Sequence, residues 1–324
     1  MNCFSLHYLD AIIWYIESWC NMNFLVTYEQ GIAQVTLKDN KLQIKPYIDL
    51  LGASYLDVHE HTLFTISEHG ISVYDNHKVL LYKDTQFDHS PSHITYVADH
   101  HMIVSSNYHH GLLSIYRFDN EKTTFLKTFV FPQGSHVHQA YYSRELKKLL
   151  VVDLGLDAVF IYDILQDDLS LSHTLSIPKG SGPRHLCVSK EGFIFIITEY
   201  SNEVFVYSDS YELLDVYKTL DHPYAHSDSS AIRLSHDENY VFAVNRFEDY
   251  ITIFKQKNGH LERLSVVSTM GKHARDFNIN SDDTYILIAN RDSNTITYFK
   301  HASGHLTYVD SVTIERPTMI FCLD

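Results

Sequence analysis

Cysteine is scarce, with four residues in 324 (Cys3, Cys20, Cys187, Cys322) and no Cys-x-x-Cys among them. That excludes a disulfide scaffold or a zinc ribbon and fits a reducing, cytoplasmic setting. Proline (7) and glycine (12) are too few for a collagen-like or low-complexity chain. Basic residues are also short: 25 Lys and Arg face 40 Asp and Glu, leaving a formal charge of −15. Broad attraction to nucleic acid or to a membrane surface is therefore excluded, and any anion site has to be a local concentration of arginine. No apolar run approaches the roughly 20 residues needed to span a bilayer. The stretch from Ala11 to Ile16 is closed in by Asp10 and Glu17 and lacks the basic start and cleavage site of a signal peptide. Gly-x-Gly-x-x-Gly, Walker and Gly-x-Ser-x-Gly patterns are missing, so nucleotide cofactors and serine nucleophiles lack their usual grips.

What is abundant is strand-forming sequence, with 23 tyrosines and 18 phenylalanines among the aromatics. Met22 is followed at once by the strand-like segment Phe24 to Tyr28, so residues 22–324 are expected to form one domain. Residues 1–21 are expected to be an N-terminal extension outside the fold.

An internal repeat organises that domain. A polar residue, alternating apolar positions and a closing aromatic recur at Gly70 to Tyr74, Leu112 to Tyr116, Ala158 to Tyr162, Glu203 to Tyr207, Tyr250 to Phe254 and Asn294 to Phe299. A weaker first copy runs from Gly31 to Thr36. The spacing is roughly that of four-stranded propeller blades, about 40–45 residues each. A second apolar run precedes each later copy, set off by polar turns such as Ser235-His236-Asp237-Glu238, and an edge strand follows, as at Leu126 to Phe131. The pattern predicts an all-β, seven-bladed β-propeller of four-stranded antiparallel blades. An open ring would leave unpaired edges. The tail Thr318 to Leu323 reads as a lone strand that completes blade one and closes the ring.

Aligning the blades brings two columns into view. The first stands at the start of the innermost strands: Ser92, His138, Arg184, Ser230 and Arg275. The second follows the end of the next strand: Asn107-Tyr108, Asp153-Leu154, Thr198-Glu199, Asn245-Arg246 and Asn290-Arg291. Antiparallel neighbours put the start of one strand beside the end of the other, so both columns face one mouth of the ring. Arginine numbers only nine in the chain, yet Arg184, Arg246, Arg275 and Arg291 fall in these columns. Guanidinium groups bind carboxylate and phosphate with paired donors, so the implied partner is a small anion. His136 and His138 sit one apart on a strand with no third ligand placed beside them, and no metal is expected there.

Five motifs in order, Gly134-Ser135-His136-Val137-His138, Val152 to Asp157, Gly182-Pro183-Arg184-His185, Val244-Asn245-Arg246 and Arg275-Asp276-Phe277 with Ala289-Asn290, resemble the lactonase family of seven-bladed propellers. That family includes propeller-type 6-phosphogluconolactonases and is related to carboxymuconate cyclases. The resemblance implies hydrolysis of a sugar lactone, 6-phosphogluconolactone foremost, at one mouth and without a cofactor. It implies His138, Arg184, Glu199 and Arg246 as the catalytic set. His138 is expected to act as general base, Arg184 and Arg246 as stabilisers of the oxyanion or carboxylate, and Glu199 as an orienting group. Arg275 is expected to take the phosphate, with His136, Asn107, Asp153 and Arg291 as further substrate contacts. Two alternatives stand beside this reading: a carboxymuconate-type lactonising enzyme, because arginine reads carboxylate as readily as phosphate, and a non-catalytic binding propeller, because the fold alone does not fix function.

Overall fold

The computed structural model describes residues 22–85, 90–221 and 228–323; the segment read as an N-terminal extension lies outside them. The described residues form seven four-stranded antiparallel sheets arranged as the blades of a ring. Blade four is typical: Val137–Ser143, Lys148–Asp153, Ala158–Ile164 and Leu169–Ser176 follow one another from the centre outwards. Burial falls along that direction. In blade five every residue of the innermost strand Pro183–Val188 is buried. The outermost strand Leu213–Lys218 has none that is.

The second strands, such as Ile194–Thr198, therefore read as near-continuous apolar runs, the innermost strands carry polar residues such as Arg184 and His185 at their mouth ends, and the outer ones turn one side to water. Between blades four and five, Val152, Ile161, Leu186, Ile196 and Phe205 pack into one apolar cluster, and similar clusters fill the other interfaces. Each such side chain contributes on the order of 1.5–3 kcal/mol by leaving water.

Ring closure follows the expected scheme. The strand Met319–Cys322 is the innermost strand of blade one and pairs antiparallel with Met22–Tyr28, with Val26 opposite Ile320. Polar side chains of blade seven grip it: Asn278 Nδ2 donates to the Ile320 carbonyl at 3.0 Å, and Ile320 N donates to Asp276 Oδ2 at 3.2 Å. Some strands are longer than the periodicity predicts. The outer strand of blade three is Lys122–Val130, because Asn120 and Glu121, at φ 49° and 61°, turn the hairpin in two residues. Among the described residues no helix is long and apolar enough to cross a membrane.

One irregularity recurs at the same place in four blades. The pairing of innermost and second strands skips a residue at His138, Arg184, Ser230 and Arg275. Each is a β-bulge, which leaves one residue outside the ladder and re-aims its side chain. Four of the five members of the first column are therefore bulges.

Candidate functional site

The bulges open onto a cavity of about 380 Å³ at the mouth where the innermost strands begin. In a regular strand successive side chains point to opposite faces. The bulge relaxes that rule, so Arg184 and His185, and likewise Arg275 and Asp276, all line the cavity. Neighbouring column residues bond to one another's displaced carbonyls. Ser92 Oγ donates to the Val137 carbonyl (3.0 Å) and the His138 carbonyl (3.1 Å), Arg184 Nη1 donates to the Ser230 carbonyl, and Ser230 Oγ donates to the Ala274 carbonyl at 2.7 Å.

The charges in the cavity do not balance. Asp276 is held by Arg233, whose Nη2 donates to Oδ1 at 2.9 Å and Oδ2 at 3.1 Å. Of the carboxylates in the cavity lining, that leaves Glu199 for Arg184, Arg246 and Arg275. Glu199 Oε2 lies 3.0 Å from Arg184 Nε and 2.9 Å from Arg246 Nη2, and Asp228 Oδ2 stands 3.6 Å from the latter. The Glu199 contacts are ion pairs with poor hydrogen-bond angles. Arg184 Nε and Arg246 Nε and Nη2 are buried without a hydrogen-bond acceptor among the described residues. Burial and the adjacent guanidiniums pull Arg184 down to about 9 and Arg275 to about 10, so both remain charged at neutral pH. Buried donors without acceptors are costly and uncommon in a resting protein. An anionic oxygen placed here would satisfy them.

His138 is buried, and its ring stands T-shaped to that of His185 at 5.0 Å. Its pKa is held well below the ordinary imidazole value, first by burial and then by Arg184, Arg275, His93 and Arg246. Loss of water is the larger cause, and the arginines come second. His185 is depressed in the same way, first by burial and then by Arg184, and His93 falls to about 3. Three neutral imidazoles thus lie behind the arginines. Among the described residues no group of three or more His, Cys, Asp or Glu side chains is disposed to hold a metal ion.

The structure brings together His138, Arg184, Glu199, Arg246 and Arg275 around the cavity. It does not bring the other four expected contacts to its wall. Asp153 is fully buried and closes its own loop, accepting from Ser135 Oγ and from the backbone N–H groups of His136 (2.8 Å), Gly155 (3.1 Å) and Leu156 (3.0 Å). Asn107 does the same for the turn at His110, accepting from its N–H at 3.1 Å. His136 lies behind Tyr108, stacked on its ring at 4.5 Å. Arg291 stands outside the wall, its N–H on the His273 carbonyl at 3.0 Å, and acts on Arg275 and His273 through its charge. Tyr55, Tyr108, His185 and Asp276 line the cavity although they were not singled out as contacts. Tyr108 carried a signal: it holds the same second-column position as Glu199 and Arg246.

Comparison with known proteins agrees with the architecture. The family described as "Lactonase, 7-bladed beta-propeller" matches residues 23–322. A 6-phosphogluconolactonase of Bacillus subtilis (strain 168) is 27% identical over 207 residues, covering 58% of this chain and 59% of that protein, so less than two thirds of that relative's length is spanned. A crystal structure of a Lactobacillus plantarum protein superposes with a TM-score of 0.89 at 24% identity, covering 94% of this chain and all of that one. The periplasmic gluconolactonase of Pseudomonas aeruginosa superposes with a TM-score of 0.83 at 20% identity over 94% of this chain and 99% of that chain. At these identities the two superpositions speak for the fold alone. The match from residue 23 to residue 322, on a ring of seven four-stranded blades, makes this chain a member of the seven-bladed β-propeller lactonase family.

Proposed function

We propose that the cavity hydrolyses an anionic sugar lactone, with 6-phosphogluconolactone as the leading substrate. The observation that carries this reading is the surplus of buried guanidinium: three arginines in the lining around Glu199, with Asp228 3.6 Å from Arg246 outside it, and N–H donors without acceptors in a chain of net charge −15. The B. subtilis relative, named a 6-phosphogluconolactonase, supports the choice of substrate.

In this reading the substrate phosphate sits on Arg275, for which no hydrogen bond or ion pair is found among the described residues. The lactone carbonyl oxygen points at the open donors of Arg184 and Arg246. His138, neutral at pH 7, takes a proton from water as the water oxygen bonds to the carbonyl carbon. The negative charge that develops on the carbonyl oxygen meets preorganised guanidinium charge on the buried Arg184 and Arg246, where such an interaction is stronger than in water. Collapse of the tetrahedral intermediate breaks the ring C–O bond. The leaving alkoxide regains the proton from the His138 imidazolium, so water is added across the ester and the base is restored. Glu199 fixes the two arginines in place.

The depressed pKa of His138 costs it basicity, and the bound anion offsets that cost. A phosphate beside Arg275 cancels part of the guanidinium field that disfavours the imidazolium, so the base strengthens once substrate is bound. The test compares hydrolysis of 6-phosphogluconolactone and gluconolactone, corrected for the spontaneous reaction, by the full chain and by Arg275→Ala. The expected result is a KM raised about tenfold or more for the phosphorylated lactone only. An equal change for both lactones would remove Arg275 from phosphate binding.

A further inference from the structure

Arg184 and Arg246 belong to neighbouring blades, the first at the bulge in Pro183–Val188 and the second at the end of Tyr240–Arg246, and their guanidiniums meet at one point. That point is occupied by an oxygen: Glu199 Oε2 stands 3.0 Å from Arg184 Nε and 2.9 Å from Arg246 Nη2. A carboxylate oxygen between two guanidiniums is thus already part of the wall, supplied by the protein itself.

Each guanidinium is also held by contacts other than those that face Glu199. Arg184 Nη1 donates to the Ser230 carbonyl, and His185 Nε2 lies 3.5 Å from the same nitrogen. Arg246 Cζ lies 6.0 Å from the centroid of the Phe247 ring, which in turn meets His273 edge-on at 5.3 Å. Phe247 takes φ +69°, a left-handed conformation that an aromatic residue rarely adopts. Strain of this kind persists only where the surroundings impose it, and it gathers at ligand sites.

The pair is short of acceptors. Arg246 Nε and Nη2, and Arg184 Nε, have no hydrogen-bond acceptor among the described residues, although the two arginines are only 7% and 2% exposed. A lactone carbonyl brings one neutral oxygen to these three nitrogens. Hydrolysis changes that ligand. The water oxygen bonds to the carbonyl carbon, the ring C–O bond breaks, the leaving oxygen regains a proton, and the new acid gives one up to solvent near pH 7. The product therefore carries one more negative charge and two equivalent oxygens at the place where the guanidiniums meet, the geometry that arginine binds best.

We propose that Arg184 and Arg246 form a carboxylate seat that holds the free acid more tightly than the lactone, so that the enzyme is inhibited by its own product. The identity of that product rests on the lactone reading above. Flux through the site then depends on a following reaction that consumes the free acid.

The experiment measures by calorimetry the Kd of 6-phosphogluconate and of sorbitol 6-phosphate, which carries a hydroxymethyl group in place of the carboxylate, for the full chain, Arg246→Gln and Glu199→Gln. Wild type should bind the acid about 10- to 100-fold more tightly, the effect of one charge-assisted contact. Arg246→Gln should shrink that ratio at least about fivefold. Glu199→Gln removes the competing carboxylate and should raise the ratio, which mere damage to the wall would not do. A wild-type ratio below about three, binding of neither compound, an unchanged ratio in Arg246→Gln or a fall in Glu199→Gln overturns the proposal. In initial-rate assays 6-phosphogluconate should inhibit lactone hydrolysis with a Ki below the KM; a Ki above it also overturns the proposal. Hydrolysis without a preference for the acid would sink the seat alone, and a preference for the acid without hydrolysis would sink the lactonase reading alone.

Discussion

Arg246 Nη2 stands 2.9 Å from Glu199 Oε2, yet that nitrogen and Arg246 Nε are buried without a hydrogen-bond acceptor. Glu199 supplies charge to this arginine without satisfying its donors. Removing the charge should expose how much of the fold depends on it. Glu199→Gln keeps the shape and leaves Arg184 and Arg246 together with no carboxylate on Glu199's side. Breaking a buried pair in this way costs about 3 kcal/mol. Thermal unfolding should therefore occur at a clearly lower Tm, and millimolar phosphate, by binding only the folded state, should recover part of the loss. An unchanged Tm would contradict the charge imbalance.

The three depressed imidazoles set a pH dependence of stability. His93, His138 and His185 have folded pKa values below the unfolded 6.5. As the pH falls through 6.5 the unfolded chain binds protons that the folded chain refuses, so stability is present above that value and is lost progressively below it. Each histidine contributes a slope of up to about 1.4 kcal/mol per pH unit. Urea unfolding between pH 7 and pH 5 should show this loss, and His93→Gln should make it shallower. The same depression predicts that the acid limb of kcat/KM lies below pH 6.5, because His138 in the free enzyme is already neutral there.

Asp153 and Arg184 stand in adjacent blades, both in the mouth columns, but their variants should fail differently. Asp153 caps three backbone N–H groups and faces no part of the cavity wall. Asp153→Ala is expected to lower Tm by several degrees through lost loop closure, with phosphate affinity of the folded protein retained. Calorimetry on that variant checks the distinction; a lost phosphate site with an unchanged Tm would return Asp153 to the binding set.

The closing strand is testable on one side chain. Ile320 is fully buried between blades one and seven. Ile320→Ala should cost about 2–5 kcal/mol, as for other large-to-small core changes. A measured loss below about 1 kcal/mol would argue that the ring is held mainly elsewhere.

Periodicity made the seven blades legible, because six of the seven copies end on an aromatic and the run before each later copy is apolar enough to be buried on both faces, as Ile194–Thr198 is. The tail strand was legible as a remainder: blade one lacked an inner strand and Thr318 to Leu323 had no other place. The mouth was legible through scarcity, since arginine is rare in the chain and four of nine fell in two columns.

The bulges were not legible. Nothing in Pro183-Arg184-His185 announces that the ladder will skip Arg184, and that skip lets His185 share the wall with it. The division of labour within the second column was missed for a related reason. Asn107 and Asp153 are polar and stand at the mouth, which suits binding, but they are the loop-closing members of their pairs. In three of the five pairs the next residue reaches the cavity, as Tyr108, Glu199 and Arg246 do, whereas Leu154 and Arg291 stand outside its lining. Choosing the second member of each pair finds Tyr108 and releases Asn107 and Asp153, but it also keeps Leu154 and Arg291, which the lining leaves out.

The most direct test of the central claim is the initial rate of hydrolysis of freshly prepared 6-phosphogluconolactone at fixed pH, corrected for the uncatalysed reaction, with the full chain and with Arg184→Ala. The account predicts a clear acceleration by the wild type and a loss of at least about 100-fold in kcat/KM in the variant, the scale of removing one oxyanion donor. A wild type that does not accelerate the reaction, or a variant as fast as wild type, would contradict it.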